Sequence, residues 1–130
     1  MSDGSIRLRI DGRDLPAQAG QTVLEVARSA GIAIPTLCHH QALEAHGGCR
    51  LCVVEASLPG RGRRRLVTAC NYEVSDGLQI ETDTERVRRS RRMSVELLLA
   101  RCPEAEVLQK LAQDYGIQRP RFALEKDDCI

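Results

Sequence analysis

The chain has 130 residues, 42% of them hydrophobic but only 2% aromatic, and a net charge of +1 from 19 basic and 18 acidic side chains. That size allows one packed domain, or a small domain with an appendage, with a core of Leu, Val, Ile and Ala, and the charge balance offers no overall field to nucleic acid or an anionic membrane. With neither a signal-peptide pattern nor an apolar run of membrane-spanning length, we expect a cytoplasmic protein without direct membrane insertion, whose six cysteines read as metal ligands or reactive thiols before disulfides.

In chain order, "IRLRIDGRDLPAQAG" alternates apolar and polar residues around Asp11-Gly12, which predicts a two-stranded hairpin. "TVLEVARSAGI" then opens with Thr22 and Glu25 in capping-box spacing and closes on Gly31, predicting a helix of two to three turns. "AIPTLCHHQALEAHGG" has no sustained period and reads as a long loop, a class usually functional or disordered inside a compact domain. "LCVVEASL", "RRLVTA" and "GLQIET" read as strands, the first two around the turn "PGRGRR". This order predicts an α+β domain ending near Thr82, a mixed sheet crossed by one helix. Residues 83–130 are expected to form two helices and a tail. The first would be capped by Thr82 with Glu85 and carry an apolar stripe of Met93, Leu97 and Leu98. The second would have Pro103 at its first position and Glu104 and Glu106 in its first turn, stopping at Gly116.

Cys38, Cys49, Cys52 and Cys70 are spaced C-x10-C-x2-C-x17-C. A C-x2-C lets two thiolates converge on one centre while the fold supplies the other two. Structural zinc accepts four thiolates but usually draws them from two close pairs, and here there is one. A 2Fe-2S cluster also takes four, and the plant-type pattern places three on one loop and the fourth on a distant segment. Gly47 and Gly48 suit backbone that must approach sulfide without a Cβ. Both chemistries stand at this level.

"IPTLCHHQALEAHGGCRLCVVE", "RLVTACNYEVSDGLQIETDTERV" and "RRMSVELLLARCP" resemble the N-terminal 2Fe-2S ferredoxin-like domain of the large iron-sulfur subunit of NADH dehydrogenase. The same domain occurs in diaphorase subunits of NAD-linked hydrogenases and in NAD-dependent formate dehydrogenases. The resemblance spans about residues 5–101. It implies a β-grasp ferredoxin-like domain over 1–82 with a helical extension over 83–130, and a 2Fe-2S cluster on Cys38, Cys49, Cys52 and Cys70. The implied function is one-electron transfer in an NAD(P)H-linked oxidoreductase complex, with no substrate-converting site in this chain. The implied partners are a flavin- and iron-sulfur-containing NADH-oxidising subunit and a hydrogenase, formate dehydrogenase or similar module. The pattern departs after the first extension helix. The His and three grouped cysteines of the NADH dehydrogenase type are replaced by "RCPEAEVLQKLAQDYGI", so that 4Fe-4S site is not expected. Cys129 stands where some relatives begin a further 4Fe-4S motif. The rival functions are a free-standing soluble ferredoxin and a structural zinc module.

His39, His40 and His46 read as solvated loop residues, because four cysteines already fill the site. Cys102, before Pro103 and expected at a helix N-terminus, reads as a packing or capping residue. Arg61, Arg63, Arg64 and Arg65, and the helical Arg86, Arg88, Arg89, Arg91 and Arg92, read as solvated faces, with docking on an acidic partner as the alternative. They lack the interleaved aromatics of base-stacking surfaces, so nucleic acid is not an expected partner.

Overall fold

The structure is a computed structural model and describes residues 5–37, 49–60 and 62–117. Cys38, the three histidines, Gly47, Gly48, Arg61 and Cys129 lie outside the described residues. The chain divides into two compact units, Met1–Val87 and Arg88–Ile130.

The first unit is an α+β domain. Strands β1 (Ser5–Ile10) and β2 (Arg13–Gln18) form an antiparallel hairpin. Asp11 and Gly12 both take positive φ, 52° and 82°, as a two-residue turn matched to strand twist requires. Helix α1 (Val23–Ser29) begins at Thr22 with both halves of the capping box made. Strands β3 (Val53–Ser57), β4 (Arg65–Thr68) and β5 (Gln79–Glu81) complete a five-stranded sheet of order β2-β1-β5-β3-β4. Its central pair, β1 and β5, is parallel, so the sheet is mixed, as the element order predicted.

Alternation places Leu8, Ile10 and Ile80 in the core, where they meet Val54 and Ala56 of β3 and Val23, Leu24, Val26 and Ala27 of α1. Strand β3 is buried on both faces. On the face away from that core sits the Glu55 carboxylate, its side chain 5% exposed, 3.7 Å from Arg64 Nη1 and 4.0 Å from Arg86 Nε. Such a charge is tolerable inside only with partners, and the Thr84 hydroxyl donates to it as well, at 3.0 Å.

Helix α2 (Glu85–Arg101) does not start as the sequence spacing suggested. Thr82 instead bonds Asp11 through its hydroxyl and through its amide, at 2.8 Å, tying the end of β5 to the hairpin turn. Thr84 is the cap, its hydroxyl accepting from Val87 N at 3.2 Å. The long-range partner of Thr82 thus leaves the capping role to Thr84, two residues on, which the sequence reading did not name.

In the second unit, α2 continues to Arg101 and α3 (Glu106–Asp114) follows. The expected apolar stripe is not the buried one: Met93 and Leu97 are 39% and 51% exposed, whereas Val95, Leu99 and Ala100 are buried. Arg91, expected on a solvated face, is buried too, as is Glu96, which lies 3.6 Å from Arg92. Pro103 does not open the next helix. Ala105 precedes it instead, after a turn in which Ala105 N donates to Cys102 O at 3.2 Å, and Gln109 Nε2 caps Pro103 O at 2.9 Å. Cys102 is therefore at the C-terminal end of α2, its amide on Leu98 O, and not at a helix N-terminus. No helix among the described residues is long and apolar enough to cross a membrane.

Candidate iron-sulfur centre

The cysteines are placed by the β3–β4 pair. Val53 faces Thr68 in its register, so Cys52, one residue before β3, meets the chain leaving β4. There Ala69 N donates to Cys52 O at 3.1 Å and Cys70 N donates to Cys52 Sγ at 3.4 Å. Two thiols that the sequence separates by 17 residues are thereby brought into one contact, and both are buried, at 0% and 1% exposure.

The segment carrying Cys70 is itself fastened to α1. The first-turn amides Val23 N and Leu24 N, which a helix leaves without intrahelical partners, donate to Tyr72 O and Ala69 O at 2.9 and 3.0 Å. Val74 N donates to Gln21 O at 2.9 Å. Helix start, strand end and cysteine thus form one rigid corner.

Cys49 opens the same turn as Cys52 and is half-buried. Between them Arg50 takes φ 60°, a left-handed conformation that costs an L-residue about 1–2 kcal/mol. The bend directs Leu51 N to Cys49 Sγ at 3.5 Å and goes with complete burial of the Leu51 side chain. Each of these two thiol sulfurs thus accepts a backbone N–H.

Burial pushes the Cys52 thiol up to about 11, and the Cys70 amide opposes that rise. A thiol held protonated in this way gives up its proton to a metal. Among the described residues no three His, Cys, Asp or Glu side chains converge as a metal-holding group. The structure pairs Cys52 with Cys70 and sets Cys49 at the head of the turn, while Cys38 lies outside the described residues. The donor chemistry fits an iron-sulfur group: buried soft thiols, peptide N–H groups aimed at sulfur, and a C-x2-C turn. The left-handed Arg50 and the Leu51 amide carried no signal in the sequence, since Arg is not a residue that announces positive φ.

Comparison with known proteins agrees. Residues 3–85 match the model of the 2Fe-2S iron-sulfur cluster binding domain. The chain is 32% identical over 127 residues to the mitochondrial NADH-ubiquinone oxidoreductase 78 kDa subunit of Candida albicans, covering 90% of this chain and 17% of that protein. It is 39% identical over 98 residues to the NADPH-Fe(3+) oxidoreductase subunit alpha of Geobacter sulfurreducens, 75% of this chain and 11% of that one. It therefore spans less than a fifth of the length of these relatives. In a crystal structure of NAD+-reducing [NiFe]-hydrogenase in the H2-reduced state, a chain 35% identical superposes with a TM-score of 0.79, over 96% of this chain and 55% of that one. The sheet order, the paired thiols and the matched residues lead to one conclusion: this chain belongs to the 2Fe-2S iron-sulfur cluster binding domain family.

Proposed function

We propose that Cys38, Cys49, Cys52 and Cys70 hold a 2Fe-2S cluster and that the domain relays single electrons within an NAD(P)H-linked oxidoreductase complex. The observation that carries this reading is the β3–β4 register, which joins Cys52 and Cys70 in a buried corner with a peptide N–H on sulfur. When bound, the cluster supplies one-electron chemistry. The protein's own part is to hold four thiolates and to offer Leu51 N and Cys70 N as donors, which favour the more negative reduced form. The wall of Leu24, Val54, Val67 and Ala69 keeps water from the Cys52–Cys70 side.

By analogy with the relatives named above, electrons would be exchanged with a flavin- and iron-sulfur-containing NADH-oxidising subunit on one side. On the other would stand a hydrogenase, formate dehydrogenase or similar module, in the cytoplasm. Residues 83–130 would be a helical extension that contributes no ligand. The test is iron and acid-labile sulfide per chain on anaerobically purified protein, with visible spectra before and after dithionite. About two of each, with colour that bleaches on reduction, is the expected result. One zinc per chain and a colourless solution would overturn it.

A further inference from the structure

Resting on that reading, we infer that Arg28 is a positioning residue for Cys38: through Thr36 it fastens the chain that delivers this ligand, and so slows loss of the cluster. Cys38 itself lies outside the described residues, but the chain leading to it is described as far as Leu37. Arg28, in the last turn of α1, donates from Nη2 to Thr36 Oγ1 at 3.0 Å. Thr36 stands two residues before Cys38, a separation of at most about 7 Å between α-carbons.

The approach to Cys38 is fixed step by step. Helix α1 closes as a Schellman turn, with Ile32 N donating to Ala27 O at 2.8 Å and Gly31 N donating to Arg28 O at 3.1 Å. Gly31, with φ 76°, supplies the left-handed residue that this turn needs. Ile34 then enters the core at 6% exposure, the ring of Pro35 fixes its own φ, and Thr36 meets Arg28. The other end of the same helix holds Cys70, because Val23 N and Leu24 N donate to Tyr72 O and Ala69 O on either side of it. One helix of seven residues thus fixes the backbone before one proposed ligand and around another. Arg28 is exposed and Thr36 half-buried, so breaking their bond leaves the core intact while loosening the approach to Cys38. Such a tether governs local opening and not global unfolding. A net hydrogen bond of ordinary strength changes an opening equilibrium roughly two- to tenfold.

The test follows loss of visible colour from anaerobic, oxidised, iron-loaded protein in excess EDTA with iodoacetamide present. EDTA takes up the iron. Each released thiolate displaces iodide and is capped as a thioether, and peptide mass spectrometry of samples quenched early reads which cysteines were released first. Thr36→Val, which removes the hydroxyl and keeps the shape, should lose colour roughly two- to tenfold faster, with capping at Cys38 gaining on capping at Cys70. Arg28→Leu should match it, the double variant should go no faster than either single change, and Thr36→Ser should return to the wild-type rate. Thermal midpoints should stay within about 5 °C of wild type.

The control is Ser29→Ala, which deletes a hydroxyl of the same helical turn that donates to Glu25 O at 3.0 Å, and it should leave the rate unchanged. A wild-type rate in Thr36→Val with full iron and colour would overturn the inference and leave the cluster reading intact. So would additive effects of the two single changes, or a faster loss in which Cys38 gains nothing on Cys70. Protein that purifies without iron and visible colour would overturn both.

Discussion

Removing the Thr84 hydroxyl should destabilise the domain more than removing that of Thr82, although both stand before the same helix. The Thr84 hydroxyl does two jobs, accepting from Val87 N at 3.2 Å and donating to Glu55 Oε1 at 3.0 Å. Loss of an N-cap costs about 1 kcal/mol. A hydrogen bond to a buried carboxylate is worth about 1.5–3 kcal/mol, here at the low end because Arg64 and Arg86 still face Glu55. Thr84→Ala should therefore cost about 2–3 kcal/mol, a fall in thermal midpoint of roughly 10–20 °C for a unit of this size. Thr84→Ser, which keeps donor and acceptor, should stay within about 0.5 kcal/mol of wild type. Thr82→Ala should cost about 1 kcal/mol, because the Thr82 amide continues to donate to Asp11 Oδ1 at 2.8 Å. The assay is far-UV circular dichroism of the anaerobic, iron-loaded protein melted at one scan rate. A double-mutant cycle with Glu55→Gln should give a coupling of about 1 kcal/mol between the two side chains. A Thr84→Ala variant that melts with wild type, or a Thr82→Ala variant that melts below it, would refute the reasoning.

Serine at any one of Cys38, Cys49, Cys52 or Cys70 should reduce iron and sulfide well below two per chain by chemical analysis, whereas Cys102→Ser should keep both near two. Leu24→Ala removes a side chain 1% exposed and should cost about 2–5 kcal/mol in the same melts. Gly77 has φ 82°, and a Cβ there would lie 3.3 Å from Pro59 Cγ. Gly77→Ala should accordingly destabilise by about 2 kcal/mol, and by more than Gly31→Ala, where φ is 76° but the space is open.

The sequence was most legible where a local rule decides the outcome. Asp11-Gly12 dictates a hairpin turn, Thr22 and Glu25 cap their own helix, and alternation in "IRLRI" selects Leu8 and Ile10 for the core. It was least legible where a distant group intervenes. Asp11 claims Thr82 from 71 positions away and moves the α2 cap to Thr84. Glu55, Arg64 and Arg86 meet through sheet register that no local pattern encodes. In α2 an abundance of arginine blurs the periodicity, so that Met93 and Leu97 read as the inner face while Val95 and Leu99 occupy it. At the cysteines, spacing and resemblance pointed to the four ligands proposed above, but the joining of Cys52 to Cys70 is a product of β-sheet pairing.

The parallel β1–β5 pair has a consequence for synthesis. Arg9 pairs with Gln79, so the first strand made waits for the last before it gains its inner neighbour. On the ribosome the β1–β2 hairpin can form early, but the sheet stays open until residue 81 has cleared the exit tunnel. By then Cys49, Cys52 and Cys70 have all emerged, ahead of the strand that closes the sheet. A nascent chain stalled before β5 would already hold α1, β3 and β4, whose pairing makes the Cys52–Cys70 corner, but on a sheet still lacking its central strand.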